Sequence, residues 1–179
     1  VTKERIKYIE LLGGQVVLVD AKLGMNGCIS KAIEIQKSIG NSYILDQFNN
    51  IENSNSHLLN TGKEIYDSMD GKIDFFVSGI GTGGTISGVG KYLKEKNSKI
   101  KIIGIEPKKS SVITTGLKGS HKIYGIGAGF VPLILDMNVI DDIYLVEEDE
   151  AYFYAKKFIK EEGILVGVSS GAALSVAYK

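Results

Sequence analysis

A single cysteine, Cys28, leaves no partner for an internal disulfide, and so excludes a disulfide-stapled fold and agrees with a reducing compartment. Followed by Ile29 in a helical pattern, it reads as a small core residue rather than a nucleophile. Histidine is nearly as scarce, with only His57 and His121, so no clustered His/Cys set suggests a metal site. Charge of either sign is not in excess: 21 basic residues balance 21 acidic ones, and neither a basic patch nor an acidic tail recommends nucleic-acid binding. No uninterrupted apolar run is long enough to span a bilayer, and Thr2-Lys3-Glu4-Arg5 does not begin like a signal peptide. With 44% hydrophobic residues in 179, the chain reads as globular and cytoplasmic, large enough for one good core and short for two complete domains.

Glycine, by contrast, is abundant, and it concentrates in Ser78-Gly79-Ile80-Gly81-Thr82-Gly83-Gly84-Thr85. Lys72 to Val77 before this stretch reads as a buried strand, and Thr85 to Lys94 after it reads as a helix with Ile86, Val89 and Leu93 on one face. A glycine-rich turn between strand and helix presents backbone N–H groups at the positive end of the helix dipole, an arrangement suited to a phosphate. Thr82 and Thr85 add hydroxyl donors. Gly79, Gly81 and Gly84 also match the G-x-G-x-x-G dinucleotide fingerprint, with Glu106 about 20 residues on, at the end of the next strand, where a ribose would be held. Against a dinucleotide, the match does not open the fold, and its hydroxyls suit one terminal phosphate better; a turn with no ligand is the third reading.

Elsewhere the pattern predicts a helix over Lys3–Leu12 closed by Gly13-Gly14, a strand over Gln15–Val19, a helix capped by Asn26 and running to Ile39, and a short strand at Tyr43-Ile44-Leu45. Asp46–Asn60, crowded with asparagine, reads as turns and as the best domain boundary, with residues 1–50 and 51–179 as the two parts. A helix from about Ser56 to Ser68 precedes the central strand. After Pro107, which breaks the Ile100–Ile105 strand, Lys108–Lys122 reads as a long loop. Two more glycine turns follow. Gly125-Ile126-Gly127-Ala128-Gly129-Phe130-Val131-Pro132 can bring backbone close to a flat ligand, and an ordinary loop is the equal alternative. Between the two lie a strand at Asp142–Val146 and a helix at Glu147–Glu162. Gly163–Ala173 reads as a strand running into a helix, with Ser169 or Ser170 either an N-cap or a hydroxyl aimed at a ligand.

The motifs at 78–85, Gly104-Ile105-Glu106-Pro107, 125–132 and Glu161–Ala173, with Gln47-Phe48 and Thr61–Ile65, closely resemble in order and spacing the cysteine synthase (O-acetylserine sulfhydrylase) family, fold type II pyridoxal-phosphate enzymes. The resemblance implies an α/β fold of open, mostly parallel twisted sheets with helices on both faces, the first 50 residues ending a smaller domain and the rest forming most of a larger one. It implies pyridoxal 5'-phosphate as cofactor, with Gly81, Thr82, Gly83, Gly84 and Thr85 on its phosphate and Ser169 on its pyridine nitrogen. Gln47 would bind the substrate carboxylate and Gly125 would lie near the bound amino acid. Tyr124 stands where many relatives have glutamine. The implied reaction replaces the acetoxy group of O-acetylserine by sulfide, in a cytoplasmic homodimer that can bind the C-terminal tail of serine acetyltransferase.

The family's Schiff-base lysine and Thr-Ser-Gly-Asn-like substrate loop have no counterpart here, which leaves the chain without a catalytic residue of its own and suggests a fragment. Lys72 and Lys91 read as solvated ends of a strand and a helix. Cystathionine β-synthase shares the scaffold and is the nearest rival; a non-catalytic binding module and a nicotinamide enzyme are the others.

Overall fold

The structure, a computed structural model, describes residues 2–179. Contacts divide the chain into two compact units, Val1–Ile44 and Leu45–Lys179.

In the first unit, α1 (Lys3–Leu11) begins where Thr2 Oγ1 accepts from the Arg5 N–H. It ends, as its glycines suggest, with the Gly14 N–H donating back to the Ile9 carbonyl and Gly13 at φ +85°. α2 (Gly24–Ser38) starts two residues before Asn26, which therefore caps nothing. Neither Gln15–Val19 nor Tyr43–Leu45 is a strand. A strand exists only through a neighbour's N–H and C=O groups, and among the described residues these two segments meet none. No described residue of this unit is buried, and Cys28, read as a core residue, is exposed.

The second unit holds the core. α3 (Glu52–Ser56), a π-helical turn (His57–Thr61) and α4 (Gly62–Ser68) follow one another without a gap, so helix begins inside the stretch read as turns. Its asparagines bond along the helix instead of opening it into turns: Asn55 Nδ2 donates to Glu52 Oε1 and Asn60 Nδ2 to the Ser56 carbonyl, the latter one turn back. The sheet has three parallel strands in the order β1 (Phe75–Gly79), β2 (Lys101–Pro107), β3 (Asp142–Val146). In its register Ser78 faces Gly104 and Glu106 faces Leu145.

Alternation along β2 divides the core. Ile103 and Ile105 pack with Val146, Ala151, Ala172 and Val176, whereas Ile102 packs with Ile86, Val89 and Leu93. The first face is covered by α7 (Glu148–Glu162) and α8 (Val168–Ala177), the second by α5 (Gly84–Lys96), the crossover from β1 to β2. This is the open parallel sheet with helices on both faces. Residues 163–167 join α7 to α8 with no strand, again for want of a strand partner among the described residues.

Two details constrain the chemistry. Glu106 is 2% exposed, and its carboxylate accepts from the N–H groups of Ile113 (2.9 Å) and Thr114 (3.0 Å) and from the Thr114 hydroxyl (2.9 Å). It caps α6 (Val112–Thr115) and is committed there, so it is not free for a ribose. Among the described residues no helix is long and apolar enough to cross a membrane, and no three His, Cys, Asp or Glu side chains converge on a possible metal position.

Candidate functional site

Residues 80–86 leave the carboxyl end of β1 and enter α5, whose N-cap is Gly83 at φ +84°, a left-handed conformation that excludes a β-carbon without strain. No side chain caps this helix. The first N–H within α5 to find a backbone partner is that of Ser87, on the Gly83 carbonyl at 3.0 Å, while Gly84 N–H reaches Thr82 Oγ1 at 3.3 Å. Among the described residues the N–H groups of Gly81, Thr82, Gly83, Thr85 and Ile86 meet no acceptor. Five unpaired donors at the positive end of a thirteen-residue helix make a place for an anion.

Three segments wall this place. Gln47, Gly79, Gly81, Thr82, Gly83, Thr85, Ile86 and Gly125 line one cleft of about 280 Å³. Gly127 N–H donates to the Ile80 carbonyl at 2.9 Å, which lays the 125–129 loop against the 79–81 backbone. The approach is so close that a β-carbon on Gly81 would stand 2.5 Å from the Gly125 carbonyl oxygen. His121 holds the same loop from behind, its Nε2 at 3.1 Å from the Gly127 carbonyl. Phe48 packs edge-on to Phe130 with ring centroids 4.9 Å apart, so Gln47 stays beside the loop.

Hydroxyl orientation follows from hydrogen-bond counting. Thr82 Oγ1 accepts from Asn53 Nδ2 (3.1 Å) and from Gly84 N–H (3.3 Å), which uses both lone pairs and leaves its own proton for a ligand. Asn53 Nδ2 also donates to the Gln47 carbonyl at 2.8 Å, tying two walls together. Thr85 Oγ1 lies 3.2 Å from His57 Nε2. Asn53 escapes the sequence reading because its stretch looks like turns, and His57, inside the expected Ser56–Ser68 helix, because a lone histidine there suggests no metal site. Their spacing with Thr61, four residues each time, was the available signal: it puts all three on one helical face.

Gln47, Gly81, Thr82, Gly83, Thr85 and Gly125 are thus brought together, and Gly84 lies against Asn53, where a β-carbon would come within 2.2 Å of Oδ1. Ser169 is not among the cleft-lining residues. It lies in the first turn of α8, whose N-cap is Gly167, so Ser169 is not a cap, and no side chain caps this helix among the described residues. Tyr124 is exposed at 77%. Among the described residues no lysine lines the cleft, and Lys72 and Lys91 are both exposed.

Residues 1–179 match, along their whole length, the family described as pyridoxal-phosphate dependent enzymes. The chain belongs to that family. Cysteine synthase B of Campylobacter jejuni is 48% identical over 174 residues, which are 97% of this chain and 58% of that protein. In structure the chain resembles the cysteine synthase of Entamoeba histolytica, with a TM-score of 0.90 and 38% identity over 97% of this chain and 51% of that one. It also resembles a hydrogen sulfide-producing enzyme of Fusobacterium nucleatum, with a TM-score of 0.93 and 37% identity over 98% and 60%. The chain therefore spans a little over half the length of the relatives it matches. For a pyridoxal-phosphate enzyme the residues fit the cofactor's phosphate: unpaired N–H groups, two threonine hydroxyls and a helix dipole converge where only glycine leaves room.

Proposed function

We propose that this chain is the phosphate- and substrate-binding part of a cysteine synthase, which replaces the acetoxy group of O-acetyl-L-serine by sulfide to give L-cysteine. The observation that carries the reading is the cleft that joins Gln47 and Gly125 to the unpaired N–H groups of 81–86. When bound, pyridoxal phosphate supplies an aldehyde and an electron-withdrawing ring. The chain's own part is to hold and orient it. The N–H groups of Gly81, Thr82, Gly83 and Thr85 and the Thr82 and Thr85 hydroxyls bind the phosphate through charge-assisted hydrogen bonds, and Gly84 lets Asn53 brace Thr82. Ser169 offers a neutral hydroxyl to the pyridine nitrogen, which does not force a proton onto it as a carboxylate does. The Gln47 amide binds the substrate carboxylate, and Gly125 leaves backbone open beside the amino acid.

The reaction also needs an amine to hold the aldehyde and move the α-proton, and among the described residues no lysine lines the cleft. Residues 1–50 then belong to a smaller domain and 51–179 to a larger one, in a cytoplasmic homodimer that can receive the tail of serine acetyltransferase. The test is an assay of the complete enzyme with O-acetylserine and sulfide. Cysteine formation that falls in Gln47→Ala chiefly through a raised KM supports the reading. Condensation of serine with homocysteine in place of this reaction assigns the chain to a cystathionine β-synthase-like enzyme and overturns it.

A further inference from the structure

One side chain at the site is held too specifically for a helix surface. His57 lies in the single π-helical turn among the described residues, half-buried, with both ring nitrogens engaged: Nδ1 at 2.9 Å from Thr61 Oγ1 and Nε2 at 3.2 Å from Thr85 Oγ1. Such turns recur at functional sites because the extra residue rotates a side chain out of helical register. The approach that brings His57 to Thr85 is built into α5. A β-carbon on Gly88 would stand 2.2 Å from the Ser54 carbonyl oxygen and 2.8 Å from His57 Cβ, so only glycine allows the two helical segments to come this near.

The two bonds to His57 are coupled through its tautomer. Two arrangements satisfy the chain; in one of them the hydroxyl proton of Thr61 goes to Nδ1 and the imidazole proton stands on Nε2. In that arrangement Nε2–H donates to Thr85 Oγ1, which leaves the Thr85 proton to turn into the cleft, beside the unpaired N–H groups of 81–86. In the opposite tautomer Thr85 would spend its proton on Nε2 and present only lone pairs to an anion. We infer that His57 is a positioning residue for the phosphate: through the Thr61–His57–Thr85 chain it fixes the Thr85 hydroxyl as a donor to the anion in the cleft. This rests on the phosphate reading of residues 81–86 and adds to it a requirement on a residue outside the cleft.

The experiment compares binding of pyridoxal phosphate and of pyridoxal, which lacks the phosphate, to the complete enzyme carrying Thr85→Val, His57→Leu, His57→Gln, or both Thr85→Val and His57→Leu. Each of Thr85→Val and His57→Leu is expected to weaken pyridoxal phosphate by about tenfold, the effect of losing one charge-assisted hydrogen bond. The double variant should be little weaker than either single one, because both break the same chain. His57→Gln keeps an N–H at the Nε2 position and should restore most of the affinity, and pyridoxal should bind His57→Leu as it binds the parent. Nitrogen-15 spectra of the His57 ring, assigned by its loss in His57→Gln, should place the proton on Nε2. An undiminished His57→Leu effect in the Thr85→Val background, equal weakening of pyridoxal, or a proton on Nδ1 would each overturn the inference while leaving the phosphate site in place. No loss on Thr85→Val would remove the phosphate reading and the inference with it.

Discussion

The runs Val16-Val17-Leu18-Val19 and Ile102-Ile103-Gly104-Ile105 have the same apolar character, and only the second is a strand. Ile102 and Ile105 are fully buried, whereas Val17 is 55% and Leu18 65% exposed. The difference lies in the neighbours: β2 is hydrogen-bonded by β1 on one side and β3 on the other, and helices cover both faces. Among the described residues of the first unit, no strand stands beside residues 16–19. Apolar sequence supplies the tendency to be covered, and secondary structure appears only where a partner covers it.

The largest test of that contrast is at Leu93, fully buried under the sheet. Leu93→Ala should lower the unfolding free energy in urea by about 3 kcal/mol, since the site cannot collapse around the lost atoms. Gly171→Ala follows closely. Its new β-carbon would stand 2.0 Å from the Ala151 carbonyl oxygen, where α8 and α7 meet, and the forced separation should cost about 2–3 kcal/mol. At the cleft, Thr82→Val should weaken pyridoxal phosphate by about tenfold, roughly 1.4 kcal/mol, because a donor is lost and one of the Asn53 bonds with it.

A smaller effect is expected at Asp141. Its carboxyl is lowered from 3.8 to about 2, first by the Ile102 N–H at 2.8 Å and then by Lys94 at 2.6 Å. A depressed native value means that the stabilisation is complete above the unfolded value near 3.8 and disappears as pH falls through about 2. Asp141→Asn should therefore cost about 1 kcal/mol at pH 7, after allowance for solvent screening, and almost nothing near pH 2. The exposed Lys31–Glu34 pair of the first unit offers the counterpart. Glu34→Gln should change stability by less than about 0.5 kcal/mol at either pH. Smallest of all is Gly40→Ala, whose added carbon meets nothing within 4 Å and which should be neutral within about 0.5 kcal/mol. A cost at Gly40 like that at Gly171 would break the contrast between the units.

The glycine turn is legible because its logic is local: strand, glycines and helix start are adjacent in sequence, and residues 80–83 join β1 to α5 as the pattern expects. The strand at Asp142–Val146 and the helix behind it were legible for the same reason. Gln15–Val19 and 163–167 were misread because a strand is a property of pairs, and a sequence pattern carries no statement of the partner. Ser169 was read as either cap or ligand hydroxyl, and the structure removes the first choice by giving the cap to Gly167. Asn53 is missed because asparagine-rich sequence predicts turns, while here Asn53 bonds across to Thr82 and Gln47 instead of competing with its own helix. Glu106 matched a fingerprint position by spacing alone, and its burial against Ile113 and Thr114 shows the limit of spacing without geometry.

The most direct measurement is residue-resolved amide hydrogen exchange in the complete enzyme with and without pyridoxal phosphate, read at Gly81, Thr82, Gly83, Thr85 and Ile86. These five N–H groups have no acceptor among the described residues, so they should exchange readily without the cofactor and slow markedly when its phosphate accepts from them, while Ser87, bonded to Gly83 in either state, changes far less. Cofactor binding that leaves all five exchanging at their original rates would contradict the account.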